Sequence, residues 1–255
     1  MPAADRRRAM TVSDPSDDPP PRRPRPLRAA RLAWRLLREP PFRHMMRLYW
    51  WPKRGAFQPF NDTQPDRYPV IFKFVQAQLG PERPIDLLSF GCATGEEVFS
   101  LRHYFPRARI KGVDINPGNI AVARSRLAAA PDEGLSFAVA ASAADERASG
   151  YDAIFCMAVL RHGSLGDPGV ERCNHLLRFD DVARAFAEFH RCLKPGGLLI
   201  VRHSNFRLRD TPVGACFETL LSVPLRGEKK TPIFGPDNRL LPGVEAPETV
   251  FRKRT

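Results

Sequence analysis

Gly91, Gly95, Glu96 and Asp114 stand at spacings that suit a nucleoside ligand carrying an amino group. The apolar run Ile85–Phe90 ends at Gly91, a loop of small residues follows, and Gly95 opens a helical stretch. A strand, a tight loop and a helix N-terminus together let a ligand approach the backbone closely. The glycines fall at relative positions 0 and 4, whereas a dinucleotide fingerprint places them at about 0, 2 and 5. Ala93 holds position 2 and Glu96 position 5, where a carboxylate would repel a pyrophosphate. This disfavours a nicotinamide-dependent reductase. A zwitterion with an amino group fits better, and S-adenosylmethionine (SAM) is one.

The segment Arg109–Ile115 reads as a second strand closing on Asp114, nineteen residues past Gly95. A carboxylate at the tip of that strand can accept both ribose hydroxyl protons. The candidate SAM contacts are therefore Gly91, Cys92, Ala93, Gly95, Glu96, Asp114 and Ile115. Ser142, in the loop 140–143 expected to line the adenine, and Met157, at the end of a later strand, complete the set.

At these residues the chain resembles the class I SAM-dependent methyltransferases. Ser89–Leu101 is most similar to the first motif of the chemotaxis-receptor (CheR-type) enzymes, and Leu193–Val201 to the turn and fifth strand of the wider family. The resemblance covers residues 67–207 and departs from the family pattern twice. Ser89 replaces an acidic residue, which passes the role of anchoring the ligand's amino group to Glu96. Ala93 replaces the middle glycine, which fits if its φ is negative. The resemblance implies methyl transfer from the sulfonium, an in-line displacement in which the protein mainly aligns nucleophile and methyl carbon.

The acceptor side rests on Arg161, His162 and His203. Residues 157–162 contain neither an Asn/Asp-Pro-Pro-aromatic sequence nor Pro-Cys, which disfavours transfer to an exocyclic amine or to cytosine C5. Arg161 and His162 could orient an anionic acceptor or remove a proton; His162 could equally be a loop residue capping the strand end. His203 and Asn205, past the next strand, converge on the same rim. The Asp180-Asp181 pair reads as a helix N-terminal cap. No metal-ligand spacing accompanies these residues.

Strands at 85–90, 109–114, 135–139, 151–158 and 198–203 position this chemistry, alternating with helices from Asp66 to Leu79, Gly95 to Tyr104, Asn116 onward and 180–193. Such alternation implies a Rossmann-like, doubly wound, mostly parallel sheet. Beyond Asn205 the pattern predicts a helix over 213–222 and short antiparallel strands at 231–234 and 248–253.

The charge is uneven. Residues 1–54 hold fourteen Arg/Lys against five Asp/Glu, a net +9 of the chain's +12. Residues 1–27, with seven prolines and few large apolar side chains, read as a disordered tail. Residues 28–66 form a basic helical appendage, and 67–255 the methyltransferase domain. In 27–38, Arg28, Arg31, Arg35 and Arg38 recur on one helical face. The simplest reading packs the apolar remainder on the domain with the arginines facing solvent; a substrate-recognition or lid role, and docking on an anionic membrane surface or a nucleic acid, are the alternatives. No apolar run reaches bilayer length. The five cysteines show no paired spacing, as expected of a reducing cytoplasm. The sequence thus points to a SAM-dependent methyltransferase acting on a protein carboxylate or a small molecule, with a non-catalytic SAM-binding interaction protein as the alternative.

Overall fold

The computed structural model describes residues 25–50, 56–58, 63–224 and 231–255, so the expected tail up to residue 24 lies outside the described residues. Two helices precede the domain, α1 (Arg25–Arg38) and α2 (Pro40–Trp50). The domain then runs α3 (Pro69–Leu79), β1 (Asp86–Phe90), α4 (Glu96–Tyr104), β2 (Arg109–Asp114), α5 (Pro117–Ala129) and β3 (Leu135–Val139). It continues with β4 (Tyr151–Met157), α6 (Phe179–Cys192), β5 (Leu193–Arg202), β6 (Phe217–Ser222) and β7 (Glu248–Lys253).

The sheet has seven strands in the order β3-β2-β1-β4-β5-β7-β6. The first five are parallel, and β7 is antiparallel to both β5 and β6. This is the doubly wound, mostly parallel Rossmann-like architecture of class I methyltransferases, with its ligand side beyond the carboxyl ends of the strands.

Successive strand residues face opposite layers, as pleating requires. Leu88, Phe90, Ile154, Cys156, Leu199 and Val201 pack with Phe186 and Phe189 of α6. Leu87, Phe155, Leu198 and Ile200 pack with Ile71 and Phe72 of α3 and with Val98 and Leu101 of α4. β4 is buried along its whole length, as expected of a parallel strand covered on both faces. Each buried Leu, Ile or Phe contributes about 1.5–3 kcal/mol over exposure. That makes the sheet a rigid base for the loops at its carboxyl edge.

Local signals set the loops. Asn116 caps α5, its side chain accepting from the Gly118 and Asn119 amides. Asp66 does not cap α3: Tyr68 is the N-cap, while the Asp66 carboxylate accepts from the Tyr104 hydroxyl at 2.8 Å. The helix expected over 213–222 is instead a 3-10 turn followed by β6, because pairing with β7 outweighs the local pattern. Residues 231–234 contribute only a single bridge, Phe234 to Leu240, rather than a strand.

The appendage does not pack as its simplest reading predicts. α2 lies on α5, and α1 lies on α2. Arg35 turns inward, stacking 3.8 Å over Phe42 and pairing with Glu39 at 2.9 Å, while Trp34 and Leu37 face outward. The second position of α5 makes the α2 contact possible. A Cβ at Gly118 would lie 2.7–2.8 Å from the backbone of Pro40 and Pro41. Asn116 donates to the Pro41 carbonyl at 3.0 Å.

Candidate functional site

The loop from Gly91 to Gly95 is held in a shape that needs positive φ at three positions. Gly91 and Gly95 have φ of 77° and 94°. A Cβ at Gly91 would overlap the Val159 side chain. Ala93 also lies in the left-handed region, with φ of 47°, contrary to the expectation of a negative value. That conformation costs an L-residue about 1–2 kcal/mol. A bond from the Ala93 amide to Asp114 Oδ2 at 2.9 Å helps hold it. The Gly91 and Cys92 amides both donate to the Val113 carbonyl, which fixes the loop to β2.

A cavity of about 950 Å³, its open mouth included, lies over this loop. Of the predicted contacts, Gly91, Cys92, Ala93, Asp114, Ile115 and Met157 line it. Gly95, Glu96 and Ser142 do not. Gly95 instead serves as the N-cap of α4. The Ser142 hydroxyl accepts from the Ala144 amide, and its neighbours Ala140 and Ala141 supply the wall.

The carboxylates differ most from expectation. Glu96 faces α5, where it accepts from the Thr94 hydroxyl and pairs with Arg126 at 2.8 Å. Glu97 is the one that lines the cavity. It accepts from the Ser89 hydroxyl at 2.7 Å, so a carboxylate reached from α4 stands beside the serine where the family pattern has an acid. Burial pushes the Glu97 carboxyl up to about 7, against the lowering effect of the Ser89 bond. An ammonium ligand would reverse that shift by favouring the charged form.

Asp114 is buried and already accepts three bonds. Oδ2 takes the Ala93 amide, and Oδ1 takes the Asn116 amide at 2.8 Å and the Asn119 side chain at 3.1 Å. Burial raises its pKa despite these donors. A carboxylate offers about four acceptor sites, so one remains for a ligand hydroxyl rather than the two expected. Burial also pushes the Cys92 and Cys156 thiols well up, which keeps them neutral.

The far wall comes from residues that the sequence reading did not single out: Leu48 of α2, then Phe57, Gln58, Thr63, Gln64, Arg67 and Tyr68. Gln58 Oε1 is buried with no hydrogen-bond partner among the described residues. A buried acceptor left open carries a free-energy cost that a ligand donor would remove. This acceptor, the Glu97 carboxylate, the remaining Asp114 site and the apolar Ile115, Ala140 and Met157 wall fit a charged nucleoside such as SAM. No periodic signal could have found this wall, because most of it lies between α2 and α3, outside any regular element, and Leu48 joins it from α2, which packs on α5.

The three predicted catalytic residues do not line this cavity. Arg161 and His162 follow β4, and His203 follows β5, all at the carboxyl edge. His162 is buried and acts as a cap, its Nδ1 accepting from the Ser164 amide at 3.3 Å, while its own amide donates to Asn205 Oδ1 at 2.8 Å. Burial, and then His175, lower its pKa. His203, at φ 55°, bonds Thr231 at 3.2 Å and lines a second cavity with Phe206, Arg207 and Phe251. Its ring lies 6.4 Å from that of Tyr68. Asn205 ties the loops together, its amide donating to Leu160 and its side chain to Pro232. At the end of β4, Ala158 lines the main cavity with φ of 60°, a strained position of the kind found at ligand sites.

Residues 88–199 match the family model for a methyltransferase domain. The chain is 29% identical over 172 residues to the ubiquinone biosynthesis O-methyltransferase of Sinorhizobium fredii, covering 65% of this chain and 68% of that protein. It is 29% identical over 178 residues to the enzyme of the same description from Chelativorans sp., covering 65% and 66%. Among solved structures it resembles a phosphoethanolamine N-methyltransferase 2 of Haemonchus contortus bound to S-adenosylhomocysteine. That likeness has a TM-score of 0.42 at 19% identity and spans 62% of this chain but 32% of that one. The YcgJ protein of Bacillus subtilis is similar at a TM-score of 0.41 and 18% identity, covering 55% and 53%. These matches lend no support to the chemotaxis-receptor kind. Residues 88–199 thus form a methyltransferase domain on a Rossmann-like sheet, and the chain is a SAM-dependent methyltransferase.

Proposed function

We propose that this enzyme moves the SAM methyl group to an oxygen of a small acceptor. The observation that carries the reading is the cavity's far wall. Phe57, Gln58, Gln64, Arg67 and Tyr68 share the cavity with the strand ends and give it a concave wall of aromatic and polar side chains, the kind of lining that orients a small ligand. The O-methyltransferase relatives support oxygen as the receiving atom.

SAM supplies the activated methyl when bound, so the chain's task is alignment. Glu97 would hold the amino group, Asp114 one ribose hydroxyl, and Ala140, Ala141 and Met157 the adenine. Arg67, stacked 5.3 Å from the Tyr68 ring, would turn an ionised acceptor oxygen toward the methyl carbon. A location in the cytoplasm belongs to the same reading, supported by five free cysteines. So does an anionic surface met by the basic α1 and α2. No helix among the described residues is long and apolar enough to cross a membrane.

A protein carboxylate is the second reading, resting on the motif at Ser89–Leu101. Radiolabelled SAM incubated with a panel of phenols and catechols, and separately with protein extract, separates the two. Label in a small product that survives mild alkali marks an ether and supports the proposal. Label on protein that alkali releases as methanol marks an ester and overturns it. With the acceptor in hand, Arg67→Ala should lower kcat/KM about 10- to 100-fold while S-adenosylhomocysteine affinity stays within about threefold, the pattern of lost transition-state contacts.

A further inference from the structure

The outer surface of the helical appendage combines two features that rarely coincide without a purpose. Trp34 is 58% exposed and Leu37 77%, and Leu32, Tyr49 and Trp50 are exposed with them. Trp34 and Leu37 are three residues apart and share one face of α1 with Ala30 and Ala33, bordered along one edge by the exposed Arg31 and Arg38. α2 adds the exposed Arg43 and Arg47 beside Trp50. From residue 25 to 50 there are seven arginines and one acid, Glu39, which is paired with Arg35.

We infer that α1 and α2 dock on an anionic lipid bilayer, with α1 lying in the headgroup plane and Trp34 and Leu37 inserted. An amphipathic helix with arginines bordering a Trp/Leu face binds such a surface through apolar burial plus attraction to acidic lipids. Tryptophan settles at the membrane–water boundary because its ring is apolar and its N–H polar. A second copy of the chain fits this face poorly, since a two-fold contact would set the same arginines against each other. Nucleic acid would meet the charges and could stack on Trp34, but it would leave the aliphatic Leu37, Ala30 and Ala33 beside that ring in water, whereas acyl chains bury them.

The placement has a consequence for the enzyme. α2 also sends Leu48 into the wall of the main cavity, so the docked surface and the cofactor site share one element. Docking would bring the cavity close to the bilayer, where a partly apolar acceptor dissolves. The docking itself does not depend on the acceptor proposed above.

Co-sedimentation of the full chain with phosphatidylcholine vesicles, with and without phosphatidylserine, tests the inference. We expect binding only to the serine-containing vesicles, a blue shift of tryptophan emission, and at least tenfold weakening between about 0.1 and 1 M salt. Trp34→Ala/Leu37→Ala and, separately, Arg31→Gln/Arg38→Gln should each weaken vesicle binding at least tenfold. Unchanged S-adenosylhomocysteine affinity in both variants would show that the domain is folded and its cofactor site intact. Equal binding to neutral vesicles, full binding by the Trp34/Leu37 variant, tighter binding to an oligonucleotide than to vesicles, or a dimer that both variants dissolve would each overturn it.

Discussion

Glu96 and Glu97 are neighbours in sequence and opposite in role, and one turn of backbone decides between them. Gly95 starts α4 with a left-handed residue, which rotates Glu96 toward Arg126 and Glu97 under Ser89. The glycines and the strand-end Asp114 are legible in the sequence, because spacing alone places them at one loop; of the two carboxylates the sequence points to Glu96, whereas Glu97 lines the cavity. Which carboxylate faces the ligand is not legible, since it depends on helix phase. His162 and His203 illustrate the same gap: their positions after β4 and β5 were foreseen, but capping and the Thr231 bond turn them from the main cavity. The raised Glu97 pKa gives a pH prediction. The free carboxyl is largely protonated below about 7 and must lose that proton to hold an ammonium group. S-adenosylhomocysteine affinity should therefore rise as pH increases to about 7, then fall in alkaline buffer as the ligand's own α-amino group deprotonates. Titrations in buffers across this range should trace that bell, and a flat profile would remove Glu97 from the amino-group site.

At the scale of elements, β1 to β5 and the helices between them follow from apolar runs, the Asn116 cap and the Pro-Gly turns. The departures have tertiary causes. β6 forms from a helix-like stretch because β7 offers it an edge, and Trp34 and Leu37 stay exposed because α2, not α1, is what meets the domain. That meeting depends on Gly118. In Gly118→Ala the new methyl collides with the Pro40–Pro41 backbone, which has no flexible end to yield. Overpacking of this kind costs about 1–3 kcal/mol. Loosening α2 also withdraws Leu48 from the cavity wall. Thermal melts should show a lower Tm, and calorimetry an affinity for S-adenosylhomocysteine reduced about threefold to tenfold. Wild-type values for both would mean the appendage is held elsewhere.

Over the whole molecule, charge and composition divide the chain as packing does. The basic excess lies before residue 55, and the sheet with its two packed faces lies after residue 66. Deleting residues 1–24 should leave Tm and ligand affinity unchanged, since that stretch has little apolar surface to bury against its ordering entropy. A large loss in either would show that it packs on the domain. We propose that the cavity over Gly91–Gly95 binds SAM through a carboxylate supplied by α4. Isothermal calorimetry of S-adenosylhomocysteine with wild type, Glu97→Gln and Glu96→Gln at pH 7.5 tests it most directly. Hydrogen bonds to charged groups contribute roughly 1.5–3 kcal/mol, so Glu97→Gln should bind about 10- to 100-fold more weakly. Glu96→Gln should stay within about threefold of wild type, and NAD should give no heat. Intact binding in Glu97→Gln, or a loss confined to Glu96→Gln, would contradict the account.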